Sequence, residues 1–142
     1  MPTFEFPYLG FQIAPSDPFP KGRAAFRPMA VAELTASTGK RPRCLVCTDN
    51  GADSCVFPSS FASVLGLDIL TMKKHLTAGV GSSANSTACC DLHIDLGRGI
   101  QFTAYAGFTP GLDSTGFGLL GQAGFFDRYN VSFFQAPAQI HD

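Results

Sequence analysis

Charge is scarce in this chain. Only 15% of its 142 residues are Asp, Glu, Lys or Arg, and the formal net charge is −1. Lys and Arg are scattered rather than striped, which excludes the electrostatic footprint of a nucleic-acid binder. No apolar run approaches the length needed to cross a bilayer, so no membrane partner is expected. Residues 1–11 have neither the basic start nor the continuous apolar stretch of a secretory signal, and a cytoplasmic location is expected. An even set of cysteines is missing too: Cys44, Cys47, Cys55, Cys89 and Cys90 make five, which fits free thiols better than a disulfide framework. Cys44 and Cys47 form a C-x-x-C, but Cys89, Cys90 and His93 are poorly spaced to complete a tetrahedral zinc site. No metal and no cofactor is therefore expected. His75, His93 and His141 lack any Ser-His or Cys-His pairing and read as surface or strand-face residues.

Apolar side chains are plentiful. Hydrophobic residues make up 45% of the chain, high for a small soluble protein, and suggest a surface covered by a partner. The chain divides into a Pro/Phe-rich arm, residues 1–27, and one domain, residues 28–142. In the arm, proline density blocks helix interior and central strand alike, leaving one edge strand over residues 8–13. Its aromatics argue against a solvated tail.

From residue 28 the pattern is of short strands: 29–34 and 43–48 form a hairpin across Ser37-Thr38-Gly39-Lys40. A short helix opens at Pro58-Ser59-Ser60, with Ser59 or Ser60 as its cap, an apolar face of Phe61, Val64 and Leu65, and Gly66 as its stop. Residues 75–80 and 84–96 flank a Gly/Ser cluster that reads as a hairpin tip. Within the second of these, Leu92, Ile94 and Leu96 alternate against Asp91, His93 and Asp95, and Phe102, Ala104, Ala106 and Phe108 alternate again after Gly97-Arg98-Gly99. A strand over 117–120, a short helix near 122–128 and a last strand over 131–134 complete an all-β fold, barrel or sandwich, with one or two short helices.

The chemistry-bearing segment is Cys47-Thr48-Asp49-Asn50-Gly51-Ala52-Asp53-Ser54. An Asp directly after a strand, followed by a small polar residue and Gly-Ala, projects a carboxylate from a tight turn. On those residues alone an ordinary Asn-Gly turn is the simpler reading. The wider context adds to it: Val56-Phe57-Pro58 leads into the short helix, and Gly118-Leu119-Leu120-Gly121 precedes Phe125-Phe126-Asp127-Arg128-Tyr129-Asn130-Val131. These two signatures, in this order with a glycine-rich hairpin between them, resemble the retropepsin-like aspartic proteases over residues 28–134.

The resemblance implies a small closed β-barrel of the retropepsin-like acid protease type. It also implies an aspartic endopeptidase acting on peptide or protein substrates. Because the chain carries one Asp turn, it implies a homodimer in which Asp49 of each copy forms one catalytic pair. Asn50, Gly51 and Ala52 would complete the active-site turn; Gly51 and Asp53 would bind substrate backbone; and Gly79, Val80 and Gly81 would form a flap. Asp95-Leu96-Gly97 and Asp113-Ser114-Thr115-Gly116 do not fit the turn pattern. The chain differs from the family at Asn50, where Thr or Ser is usual, at Cys47-Thr48, where two aliphatics are usual, and at Gln122. In retroviral members an Arg at the last position pairs with the acid equivalent to Asp53, which here would need Arg128 or Arg43. The competing readings are a catalytically inactive dimerisation or peptide-binding module of the same fold, and an unrelated β-barrel for a small apolar ligand.

Overall fold

Proline sorts the N-terminal arm into a hairpin. In the computed structural model, which describes residues 4–77 and 85–134, β1 (Leu9–Ile13) pairs antiparallel with β2 (Arg23–Arg27). The prolines at 15, 18 and 20 fall in the connection, where no ladder N–H is needed. Gly22 turns the chain back with φ +74°, and a Cβ there would lie 2.4 Å from the Ile13 carbonyl. The Phe26 ring covers Gly10 across the ladder, and Arg23 sits 5.0 Å from the centre of the Phe19 ring. The sequence pattern anticipates β1 but not β2, whose single large apolar residue, Phe26, gives no alternation.

The remaining strands among the described residues are β3 (Met29–Thr35), β4 (Arg43–Thr48), β5 (Val56–Pro58), β6 (Lys73–Thr77), β7 (Asn85–Asp95), β8 (Gln101–Thr109) and β9 (Gly118–Leu120), with one α-helix, α1 (Ser59–Val64), and two single 3-10 turns at Ile69–Thr71 and Pro110–Leu112. They join in the order β3-β4-β9-β5-β8-β7, and β3 pairs back onto β7, so six strands close a barrel while β6 extends β7 on its far side. Leu34, Val46, Phe57, Leu92, Ile94, Phe108 and Leu120 fill the interior. Burial of one face explains the alternation of β7 and β8: Leu92, Ile94, Phe102 and Ala104 point inward, while Asp91, Gln101 and Thr103 are exposed. Glycine makes room where chains crowd, for a Cβ on Gly118 would meet the Phe57 ring at 2.4 Å.

β9 runs between β4 and β5, parallel to the first and antiparallel to the second. The β4–β5 connection, residues 49–55, must therefore pass over the end of β9. That crossing is what positions the site.

Three local expectations are corrected. No Ser side chain caps α1; the Asp113 carboxylate does so from outside the helix, accepting from the Ser59 hydroxyl at 2.7 and 2.8 Å and from the Ser60 N–H at 3.4 Å. Residues 122–128 form successive turns rather than a helix. Phe126 and Asp127 donate to carbonyls five residues back, Arg128 and Tyr129 both donate to Phe125, and Gly124 has φ +107°, so no continuous ladder forms. Residues 131–134 have no strand partner among the described residues; the segment is held by aromatic packing, with Phe133 6.2 Å from Phe126. Replacing the cap as Asp113→Ala is expected to cost about 0.5–1 kcal/mol, measured as a shift in the urea midpoint at constant slope.

Candidate active site

The carboxylate of Asp49 is set by two converging pieces of backbone. β4 delivers it. The Thr48 N–H and hydroxyl both donate to the Pro28 carbonyl, at 3.0 and 3.1 Å, anchoring the end of the strand. Asp49 itself donates from its N–H to Leu120 O of β9 at 2.9 Å. The chain then reverses, with Ala52 N–H donating to Asp49 O at 3.1 Å and Gly51 N–H donating to Asp49 Oδ1 at 2.9 Å. This Asx-type turn fixes one carboxylate oxygen by a charge-assisted bond and leaves Oδ2 without a hydrogen bond to any described residue. Asp49 is half-buried; Asn50, Gly51 and Asp53 are exposed, and Ala52 is half-buried.

The second piece is the exit of β9. Gln122 N–H donates to Ala52 O at 2.8 Å and Ala123 N–H to Asp53 O at 2.9 Å, while Ser54 bridges Ala123 in parallel register. The Gln122 side-chain amide donates to Asn50 O at 2.7 Å. Gly121 is required at the crossing, since a Cβ there would stand 2.3 Å from Ser54 O and 2.7 Å from Ala52 O. The two sequence signatures, some seventy residues apart, thus meet at one turn.

The flap residues expected from the sequence, Gly79, Val80 and Gly81, lie outside the described residues; the strands on either side of them pair antiparallel up to Thr77 opposite Asn85. Asp53 is joined by neither expected arginine. Arg128 donates instead to Thr103 O at 3.0 Å, and Arg43 stands at the opposite end of β4 from the turn. Among the described residues the ion pair found is Arg41 with Glu33, at 2.7 Å. No group of three or more His, Cys, Asp or Glu among them is placed to hold a metal ion.

The thiols are held protonated. Burial pushes Cys44 up to about 12. Cys47 is raised by burial first and then by the negative charge of Asp49, with Arg27 opposing. Burial also raises Cys55, Cys89 and Cys90. None is an activated nucleophile at neutral pH. Arg27 carries no signal in the sequence. Its guanidinium lies 5.8 Å from the centres of both the Phe11 and Phe117 rings, and it shares the neighbourhood of Cys47 with Asp49. Only the fold brings β1, β2 and the approach to β9 together there.

No protein-family model matches this sequence, and no curated protein does. Among solved structures, the fold is similar to that of a retropepsin-like aspartic protease from Rickettsia conorii, with a TM-score of 0.54 and 19% identity over 89% of this chain and 92% of that one. The barrel is thus a small closed β-barrel of the retropepsin-like acid protease type. Among the described residues, no helix is long and apolar enough to cross a membrane.

Proposed function

We propose that this protein is an aspartic endopeptidase that works as a homodimer, with Asp49 of each copy forming a single water-activating pair. The observation that carries this reading is the Asp49 turn: one carboxylate, one oxygen fixed by Gly51 and the other left without a bond to a described residue, in a loop clasped by the exit of β9. One such turn per chain supplies half a dyad.

Two carboxylates brought close together cannot both ionise readily, so the pair holds one proton. The ionised member takes a proton from the bridging water as the water oxygen bonds to the peptide carbon, and the protonated member gives its proton to the carbonyl oxygen. The resulting diol collapses. One diol hydroxyl returns its proton to the second carboxylate as the C=O bond re-forms. The C–N bond breaks, and the departing nitrogen takes the proton that the first carboxylate had received, which restores the pair with one proton. Gly51, Asp53 and the Gly79-Val80-Gly81 segment would contact the substrate backbone.

One observation favours the rival reading of an inactive dimerisation or peptide-binding module. Position 50 carries an exposed Asn, where the family resemblance implies a hydroxyl locking the two turns together across the dimer. Peptide cleavage between acidic and neutral pH, beside an Asp49→Asn control, separates the two readings. Sedimentation at micromolar concentration should show a dimer; a monomer that cleaves peptides would overturn the shared site. Asn50→Thr supplies the hydroxyl. Two symmetric hydrogen bonds are worth roughly 1–3 kcal/mol, so the dissociation constant should fall about tenfold to a hundredfold, with higher turnover at dilute enzyme. An unchanged constant would show that the Asn50 amide already makes the contact.

A further inference from the structure

Gln122 reaches the catalytic turn twice. Its backbone N–H donates to Ala52 O at 2.8 Å, and its side-chain amide spans to Asn50 O at 2.7 Å. Those two carbonyls belong to the residues on either side of Gly51, whose N–H holds Asp49 Oδ1. A turn with an exposed glycine at its centre has two soft torsions at the point where the carboxylate must be held still. Bonding the carbonyl before that glycine and the carbonyl after it removes most of that freedom. Gln122 is itself seated by the Asp127 N–H, which donates to its carbonyl at 3.0 Å, and by the tight crossing at Gly121.

We infer that Gln122 is a positioning residue of the Asp49 turn. Its side-chain amide clamps the turn inside each protomer, so that every chain brings a pre-formed Asp49–Gly51 bond to the dimer. The catalytic part of this inference rests on Asp49 being half of an aspartic dyad; the clamp itself does not. Only the side-chain bond can be removed by substitution, and methionine has the length of glutamine without the donor.

The test is Gln122→Met beside Gln122→Ala, read first by amide exchange, which needs no activity. The Gly51 and Ala52 amides should exchange about two- to tenfold faster than in the parent, the shift that one net hydrogen bond supports, while amides of β7 and β8 stay unchanged. Because the side chain is exposed, the melting temperature should stay within about 2 °C. In peptide cleavage, kcat should fall about two- to tenfold at constant KM, the pattern expected of a residue that orients the carboxylate rather than binding substrate. Unchanged exchange at Gly51 and Ala52 in both variants would overturn the clamp. Faster exchange with unchanged kcat in an active enzyme would overturn its positioning role. A parent protein without peptidase activity would refute the proposed function, and amide exchange would then decide the clamp alone.

Discussion

Asp49→Asn should abolish peptide hydrolysis, lowering kcat by at least about a thousandfold, while the barrel melts as before. General acid–base groups are each worth roughly a hundredfold to ten-thousandfold, and here one substitution in the gene removes both members of the pair. The amide keeps an oxygen where Oδ1 accepts from Gly51 N–H, so the turn retains its internal bond. What is lost is the ability to take a proton from water and to hold the shared one. Circular dichroism and a melting curve beside the cleavage assay separate this loss from unfolding.

Gly121→Ala is expected to be the most destabilising single-methyl addition near the site, at about 3 kcal/mol, or roughly 10 °C in melting temperature. The added Cβ would meet two carbonyl oxygens, Ser54 O at 2.3 Å and Ala52 O at 2.7 Å, and backbone cannot swing aside as a side chain can. Relief would require the exit of β9 to move away from the turn, breaking the bonds from Gln122 to Ala52 and from Ala123 to Asp53. Activity should therefore fall along with stability. Gly51→Ala is the control: its Cβ would meet only Asp49 Oδ1, at 3.2 Å, so it should leave the melting temperature nearly unchanged. Scanning calorimetry of the two variants checks the contrast, and equal losses would show that the crossing is not the tight point.

The parts of this fold that are legible in the sequence are those fixed by one buried face or one local turn. Leu92 and Ile94, with Leu96 just beyond the strand end, declare β7 because every second residue must enter the core, and Gly66 ends α1 because its φ of +75° suits glycine. Asp49 is legible for the same reason, as a local Asx-type turn after a strand. What sequence cannot carry is pairing between distant segments. The closure of β3 on β7, with Leu34 opposite Ile94, has no local signature, nor does the capping of α1 by Asp113 from some fifty residues away. Residues 122–128 are expected from the sequence as a short helix. However, the backbone of Ala123 is already committed to Asp53 and Ser54, and Gly124 departs from helical φ, so tertiary bonds override the pattern. The clasp on Asp49 belongs to this second kind. Each half is visible as a motif, and their contact is not.

The central claim is that two chains share one site through Asp49, and subunit mixing tests it most directly. Asp49→Asn protein is added in increasing amounts to a fixed quantity of wild-type enzyme, allowed to exchange subunits, and assayed for peptide cleavage. If the site needs one Asp49 from each chain, mixed dimers carry a single carboxylate and are inert. Activity should then fall progressively as the variant captures wild-type chains. Full activity retained in the presence of a large excess of the variant, with exchange verified by mass, would show that one chain holds a complete site and would contradict the account.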